Sequence, residues 1–340
     1  VVVLNYFSGQ FLNDVAVYLK QGAGCKGNIP FTPLNFLRKT IFMQAMILAA
    51  GLGTRLRPYS NIRPKPLFPV LNQPLLSILI NMLEEAGCTK IIVNGHHLRD
   101  QLKSAVADSN TILYQDEPTI LGTGGSLREA LPQLEDEPLL VVNGDIFHNI
   151  DLAGLYEEHR RSGKKITMAM HDLARFNSVE VQEGCVRTFR PQPKNKGEIL
   201  TFTGVHVVDP SIIEMIPPGQ FFHIIDLYER LVVQGESTGV VRVDGVLWQD
   251  IGTPEDYLGL HAKLLSGEIN QPLPIQVPDD PWLVSAGGEV DPSVQLEGWG
   301  CIGNARIGAG VRLCNCVVWD GAVVAEGTQL KDTIVTPGLE

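Results

Sequence analysis

No apolar run in the chain approaches the ~18 residues needed to span a bilayer, so no membrane partner is expected. No C-x-x-C pair occurs either: the six cysteines are scattered at 25, 88, 185, 301, 314 and 316. Cys314 and Cys316 would share one face of a strand as neighbouring apolar thiols rather than as metal ligands. Reduced thiols in the cytoplasm are the economical expectation. Positive charge is short: 27 Lys and Arg against 38 Asp and Glu leave a net charge of -11. That argues against a nucleic-acid binder working by charge alone. The first 42 residues lack a basic segment followed by a cleavable apolar core, so no signal peptide is expected. Residues 1–43 read as an N-terminal extension whose status stays open. It is either an over-long start ahead of Met43 or Met46, or a helix or two packed on the main domain. Deleting residues 1–42 is expected to leave function intact.

What is present suits two domains and a sizeable core: 340 residues, 44% of them apolar and 19% charged. The most informative stretch is 46–69. Met46 to Ala50 is apolar and strand-like, and it empties into a loop carrying Gly51 and Gly53. Thr54, Arg55, Arg57, Arg63 and Lys65 follow closely. Glycines let backbone N–H groups approach a phosphate, and clustered cations neutralise its charge. In an acidic chain such a cluster reads as a polyphosphate site. A Walker loop is excluded, because no Gly-x-x-x-x-Gly-Lys-Ser/Thr run exists. A dinucleotide fingerprint fails at its third glycine, where Leu56 stands. Pro58, Pro64, Pro66 and Pro69 also forbid the crossover helix that should follow at once.

From Gln44 to about Gly267 strand and helix patterns alternate. This predicts an α/β fold with a Rossmann-like, mixed to mostly parallel sheet covered on both faces. Strands are expected at 45–50, 90–94, 111–114, 139–143, 165–170 and 199–208. Helices are expected at 74–86, 98–106, 125–130, 152–161, 211–216, 224–234 and 254–266. Beyond a proline-rich linker (Pro272, Pro274, Pro278, Pro281) the texture changes. Residues 306–335 divide into five units of six, from Arg306–Val311 to Leu330–Val335, and four of the five end on valine. A looser copy runs through Val284, Val290, Leu296 and Ile302. Such a period marks a short β-solenoid. It cannot close its own end, so capping or self-association as a homo-oligomer is expected. The domains are then 44–268 and 269–340.

Four downstream segments join the opening loop. Residues 117–126, Glu-Pro-Thr-Ile-Leu-Gly-Thr-Gly-Gly-Ser, open a helix with Gly122, Gly124 and Gly125. Val141-Val-Asn143-Gly-Asp145 ends an apolar strand on a carboxylate, where open α/β sheets bind ligands. Thr203-Gly204-Val205 lies on another strand, and Trp248-Gln-Asp250-Ile-Gly-Thr-Pro254 offers a second carboxylate before a helix. Taken singly, each aspartate fits a cap or a turn as well as a ligand. Together they suit Mg²⁺, which takes one or two carboxylates plus substrate phosphates and water.

These motifs, G-L-G-T-R-L-R-P, R-P-K-P-L, L-G-T-G-G, V-V-N-G-D, T-G-V and W-x-D-I-G-T-P-E-D-Y, resemble the sugar-1-phosphate nucleotidyltransferases (NDP-sugar pyrophosphorylases) in order and spacing across 44–266. The tail resembles the left-handed β-helix that many of these enzymes carry. The resemblance implies the nucleotide-diphospho-sugar transferase fold and the reaction of an NTP with a sugar-1-phosphate to give an NDP-sugar and pyrophosphate. It implies that Arg55 binds the triphosphate and stabilises the leaving pyrophosphate, and that Lys65 holds the α-phosphate and sugar phosphate together. Asp145 and Asp250 fall on the two magnesium carboxylates. Substrate contacts fall on Ala49, Gly51, Gly53 and Thr54, on Glu117, Gly122, Thr123 and Gly124, and on Asn143 and Gly204. Gly51, Gly53 and the 122–125 loop would hold nucleotide and base, and Gly204 the sugar. No general base is implied, since a phosphate nucleophile is already anionic.

Ser178 in F-N-S-V-E, and Phe189 before Arg190-Pro191, depart from the glycine and glutamate with which many hexose enzymes grip the sugar. A mannose-1-phosphate guanylyltransferase-like or an N-acetylmuramate-1-phosphate uridylyltransferase-like activity is therefore expected, with heptose a further sugar of this kind. Members that read thymidine or uridine often carry a glutamine near the base; Gln115 is close, its register against Glu117 open. A non-catalytic regulatory homologue binding sugar nucleotides is the alternative. Retention of Arg55, Lys65, Asp145 and Asp250 together favours the enzyme. An acyltransferase in the solenoid is disfavoured by the lack of histidine after His261.

Overall fold

A computed structural model describes residues 42–192, 197–269 and 271–338. The expected N-terminal extension falls almost wholly on residues 1–41, outside the described residues. The chain begins with β1 (Met43–Leu48) and, after a long loop, a small ladder of β2 (Pro69–Val70) and β3 (Gln73–Pro74). Then come α1 (Leu75–Glu85), β4 (Cys88–Gly95), α2 (Arg99–Ala105), β5 (Ile112–Asp116), α3 (Gly122–Ala130), β6 (Leu139–Asn143) and β7 (Ile146–His148). Next are α4 (Leu152–Ser162), β8 (Ile166–His171), β9 (Val179–Gln182), β10 (Cys185–Thr188) and β11 (Glu198–Val208). The α/β part closes with α5 (Pro210–Ile213), α6 (Ile224–Val233), β12 (Gly239–Arg242), β13 (Trp248–Asp250) and α7 (Pro254–Leu265).

The nine-stranded sheet has the order β5-β4-β1-β6-β11-β8-β12-β10-β9. Its central strands are apolar on consecutive residues because both faces are covered. Ala45 and Ile47, Ile91 and Val93, Leu140 and Val142 enter one core; Met46, Ile92, Leu139 and Val141 enter the other. β5, β4, β1 and β6 run parallel, but β11 runs against both β6 and β8. The sheet is thus mixed rather than mostly parallel. Alternation of apolar residues reports burial and carries no strand direction, so this reversal was not legible. The β9–β10 hairpin was missed outright. It turns on Glu183 and Gly184, both at positive φ (53° and 70°), the backbone of a two-residue hairpin without the usual Asn-Gly letters.

The C-terminal strands are β14 (Trp282–Val284), β15 (Glu289–Val290), β16 (Gln295–Ile302), β17 (Arg306–Ile307), β18 (Arg312–Val318), β19 (Val323–Val324) and β20 (Gln329–Val335). They stack in parallel as β14-β16-β18-β20 and β15-β17-β19. Arg312 lies opposite Gln329 and Arg306 opposite Val323, so a full turn takes 17 residues and not three hexads. The hexad frame therefore slips by one per turn, which is why Val311 and Val317 are buried while Val323 is 69% exposed. Cys314 and Cys316 do not share a face. Asn315 between them is left-handed (φ 54°) and turns the strand, leaving Cys316 buried and Cys314 half-buried. This stack packs on α7 and the 54–68 loop through Trp319, which meets Phe68 at 4.6 Å between ring centres and donates its indole N–H to the Tyr257 hydroxyl at 3.1 Å.

Candidate active site

The 51–69 loop forms three 3-10 turns, Thr54–Leu56, Tyr59–Asn61 and Lys65–Leu67, in place of a crossover helix. Gly53 enters the first at φ 60°, where a side chain would press on Ser60. Leu56 and Leu67 are buried, and the turns present Arg55 and Lys65 beside these anchors. The loop's start is pinned as well: the Ala49 N–H donates to Asn94 Oδ1 at 2.6 Å.

Asp145 follows β6, and Asp250 closes β13. β7 and β13 pair antiparallel with Asp250 opposite Ile146, which brings the two carboxylates together across 105 residues of sequence (250 − 145). Lys65 Nζ lies between them, 2.8 Å from Asp145 Oδ2 and 3.0 Å from Asp250 Oδ1, with its side chain 7% exposed. Arg55, 65% exposed, reaches Asp250 Oδ2 at 3.6 Å. Gly252 makes room for it, since a Cβ there would lie 2.8 Å from the guanidinium. The fit to a metal can be judged from this arrangement. Two carboxylates converge on one cation-sized point, now filled by an ammonium, beside an open cleft. Among the described residues no cluster of three or more His, Cys, Asp or Glu ligands exists. That suits a divalent cation that leaves most of its positions to water and substrate phosphate, and not a fully caged ion.

The cleft holds about 360 Å³, within the range of small-molecule sites. Ala49, Gly51, Gly53, Thr54, Arg55 and Lys65 line it, as do Glu117, Gly122, Thr123, Asn143 and Asp145. Three expected residues do not line it: Asp250, which is paired to Lys65 and Arg55, and two glycines. Gly124 packs α3 on Phe222, whose carbonyl accepts the Gly124 N–H at 2.8 Å, and a Cβ would lie 2.8 Å from the Phe222 ring. Gly204 is at φ 81° in an irregular stretch of β11, where a Cβ would lie 2.6 Å from Asn143 Nδ2. Both make room for neighbours by lacking a side chain.

Glu117 is buried and already engaged: its carboxylate accepts from Asn94 (2.8 Å), Gln115 (2.9 Å) and Ser126 (3.1 Å). Gln115 points to Glu117 and the Ser126 carbonyl, beneath the wall and not on it. Sequence reasoning missed Asn94, Ile120, Ser126, Phe221, His223 and Gly252, all of which line the cleft. Ile120 and Ser126 fall within the 117–126 segment and Gly252 within the Trp248–Pro254 segment, whereas Asn94, Phe221 and His223 carry no local signal.

The nucleotidyl transferase family model matches residues 44–267. The chain belongs to the nucleotidyl transferase family. A mannose-1-phosphate guanylyltransferase of Mycobacterium tuberculosis is 29% identical, covering 85% of this chain and 83% of its own length. A UTP–glucose-1-phosphate uridylyltransferase of Synechocystis is 30% identical, covering 87% and 85%. An N-acetylmuramate α-1-phosphate uridylyltransferase of Neisseria meningitidis is 33% identical, covering 62% and 94%. The solved structure of HddC from Yersinia pseudotuberculosis, determined also with GMP-PN, superposes with a TM-score of 0.53 at 25% identity, over 64% of this chain and 98% of that one. The enzyme transfers a nucleotidyl group from an NTP to a sugar-1-phosphate, releasing pyrophosphate.

Proposed function

We propose that the enzyme uses GTP and a manno-configured sugar-1-phosphate. The guanylyltransferase names among its relatives and the GMP-PN complex of a structural neighbour support this. Uridylyl transfer to an N-acetylmuramate-type sugar is the second reading, favoured by the Neisseria relative, nearly all of whose length is matched. In either case a sugar-phosphate oxygen attacks the α-phosphorus in line, and the bond to the pyrophosphate breaks. The attacking group is anionic at neutral pH, so no side chain must take a proton. Arg55, largely exposed at the cleft edge, binds the triphosphate and meets the charge that develops on pyrophosphate. Lys65 turns its ammonium from the aspartates to the α-phosphate and the sugar phosphate. Asp145 and Asp250 would hold Mg²⁺, which supplies charge stabilisation to phosphoryl oxygens when bound. Ala49, Gly51, Gly53 and Thr54 present backbone to the nucleotide, Gly122 and Thr123 border the base, and Asn143, seated by Gly204, faces the sugar.

The observation that carries this reading is the convergence of Asp145 and Asp250 on Lys65. Asp145→Asn and Asp250→Asn should each abolish Mg²⁺-dependent pyrophosphate release; loss in only one variant refutes the paired site. A pyrophosphate-release screen of four NTPs against mannose-, heptose-, glucose- and N-acetylmuramate-1-phosphate assigns the substrates. We also propose that residues 269–340 are a linker and a short left-handed β-helix, supported by the parallel 17-residue turns. Self-association through the open edge beside β19 and β20 fits its exposed Val323. The free thiols of Cys88, Cys185, Cys301, Cys314 and Cys316 fit a reducing cytoplasm.

A further inference from the structure

The cleft's lining is of two chemical kinds. Arg55, Lys65 and Asp145 bring charge to it, with Asp250 paired to Lys65. Ile120, Gly122 and Phe221 form an apolar stretch of its wall. Phe221 is 55% exposed and Ile120 40%, and neither belongs to a core cluster. Two large apolar side chains left in water on one cleft are what a flat ligand surface covers.

The ring is also held in place. Phe222 donates its N–H to the Leu121 carbonyl (2.8 Å), and its own carbonyl accepts from Gly124 (2.8 Å) and Gly125 (3.2 Å). The Ile224 N–H donates to Thr123 Oγ1 at 3.1 Å, so residues 222–224 are tied to the start of α3 on both sides. Gly122 lets the ring approach: a Cβ there would lie 3.1 Å from Phe221 Cε2. His223 packs against the ring at 84° with centres 4.7 Å apart.

We propose that Phe221, with Ile120 beside it, is the surface on which the nucleobase of the NTP stacks. The triphosphate goes to the charged residues, which leaves the base for the apolar stretch; the inference rests on that reading of the charged residues. Every base has a π-face, so stacking adds affinity without choosing the base.

The test measures dissociation constants for GTP, UTP and inorganic tripolyphosphate, with Mg²⁺ and without sugar phosphate. Phe221→Ala should weaken both nucleotides about tenfold and leave tripolyphosphate binding unchanged, while Phe221→Trp restores nucleotide binding. Unchanged nucleotide affinity, or an equal loss for tripolyphosphate, overturns the stacking role. Arg55→Ala serves as the control for the charged residues and should weaken all three ligands. If it spares tripolyphosphate, the phosphate-site reading fails, separately from the base surface.

Discussion

At the scale of the residue, Lys65 is the least replaceable group in the site. It is a nearly buried ammonium whose partners are both carboxylates, so removing it takes away the cation that Asp145 and Asp250 share and leaves only the exposed Arg55, 3.6 Å from Asp250. Lys65→Ala and Arg55→Ala should each lower turnover by about 10²–10³, the usual effect of losing one charge-stabilising donor. Near wild-type pyrophosphate release from either variant would sink its assigned role. Three histidines make a second prediction. Burial lowers His148 to about 4, His206 to about 3 and His261 to about 4, from the ordinary 6.5; His159 adds to the effect on His206. His148 Nδ1 accepts the Ile150 N–H and His261 Nε2 accepts the Leu71 N–H, so both rings are used as neutral acceptors. Below pH 6.5 the unfolded chain takes up protons that the folded one refuses, and stability rises with pH wherever the unfolded state binds more protons. The urea midpoint should therefore fall as pH drops from 6.5 towards 4. A flat profile across that window would contradict neutral burial.

At the scale of the element, glycines with the same letter play opposite parts. Gly122 and Gly124 begin α3 against the backbone of Phe222, where a Cβ would lie 2.7 Å and 3.1 Å from its carbonyl oxygen. Alanine at either should cost about 1–3 kcal/mol by overpacking. Gly259 lies inside α7, and a Cβ added there would meet nothing within 4 Å. Gly259→Ala should stabilise by about 0.4–1 kcal/mol, because alanine restricts the unfolded chain and favours helix. Urea titration of the three variants checks both signs. The termini of α7 explain why it was easy to read: Thr253 caps it, accepting the Asp256 N–H at 3.1 Å, and Pro254 opens it. Strand direction had no such marker. β11 shows the same apolar run whether it runs with β6 or against it.

At the scale of the whole molecule, the C-terminal stack and the signature loop share one core. Trp319 is 1% exposed and lies against Phe68, Tyr59 and Tyr257, with the Arg63 guanidinium 4.9 Å from its ring centre. Trp319→Ala should cost about 3–5 kcal/mol, and denaturant unfolding followed by activity and by fluorescence should shift together. A shift in fluorescence alone would show that the two parts unfold separately. The coupling has a functional side, because Phe68 and Arg63 flank Lys65 in the chain.

The class of chemistry was written in short stretches of the chain. Glycines and cations at 51–65, and carboxylates at strand ends, are local patterns with a local physical cause, so a candidate phosphate loop could be read before any fold was known. The two-faced central strands were legible in the same way, since burial on both sides demands continuous apolar residues. Which residues meet was set by the fold. The β7–β13 pairing joins Asp145 to Asp250, the Asn94 side chain pins Ala49, and the 220–224 segment lays Phe221 beside Gly122. Each is a contact between segments far apart in the chain, set by strand direction and packing. The identity of either partner carries no mark of the other.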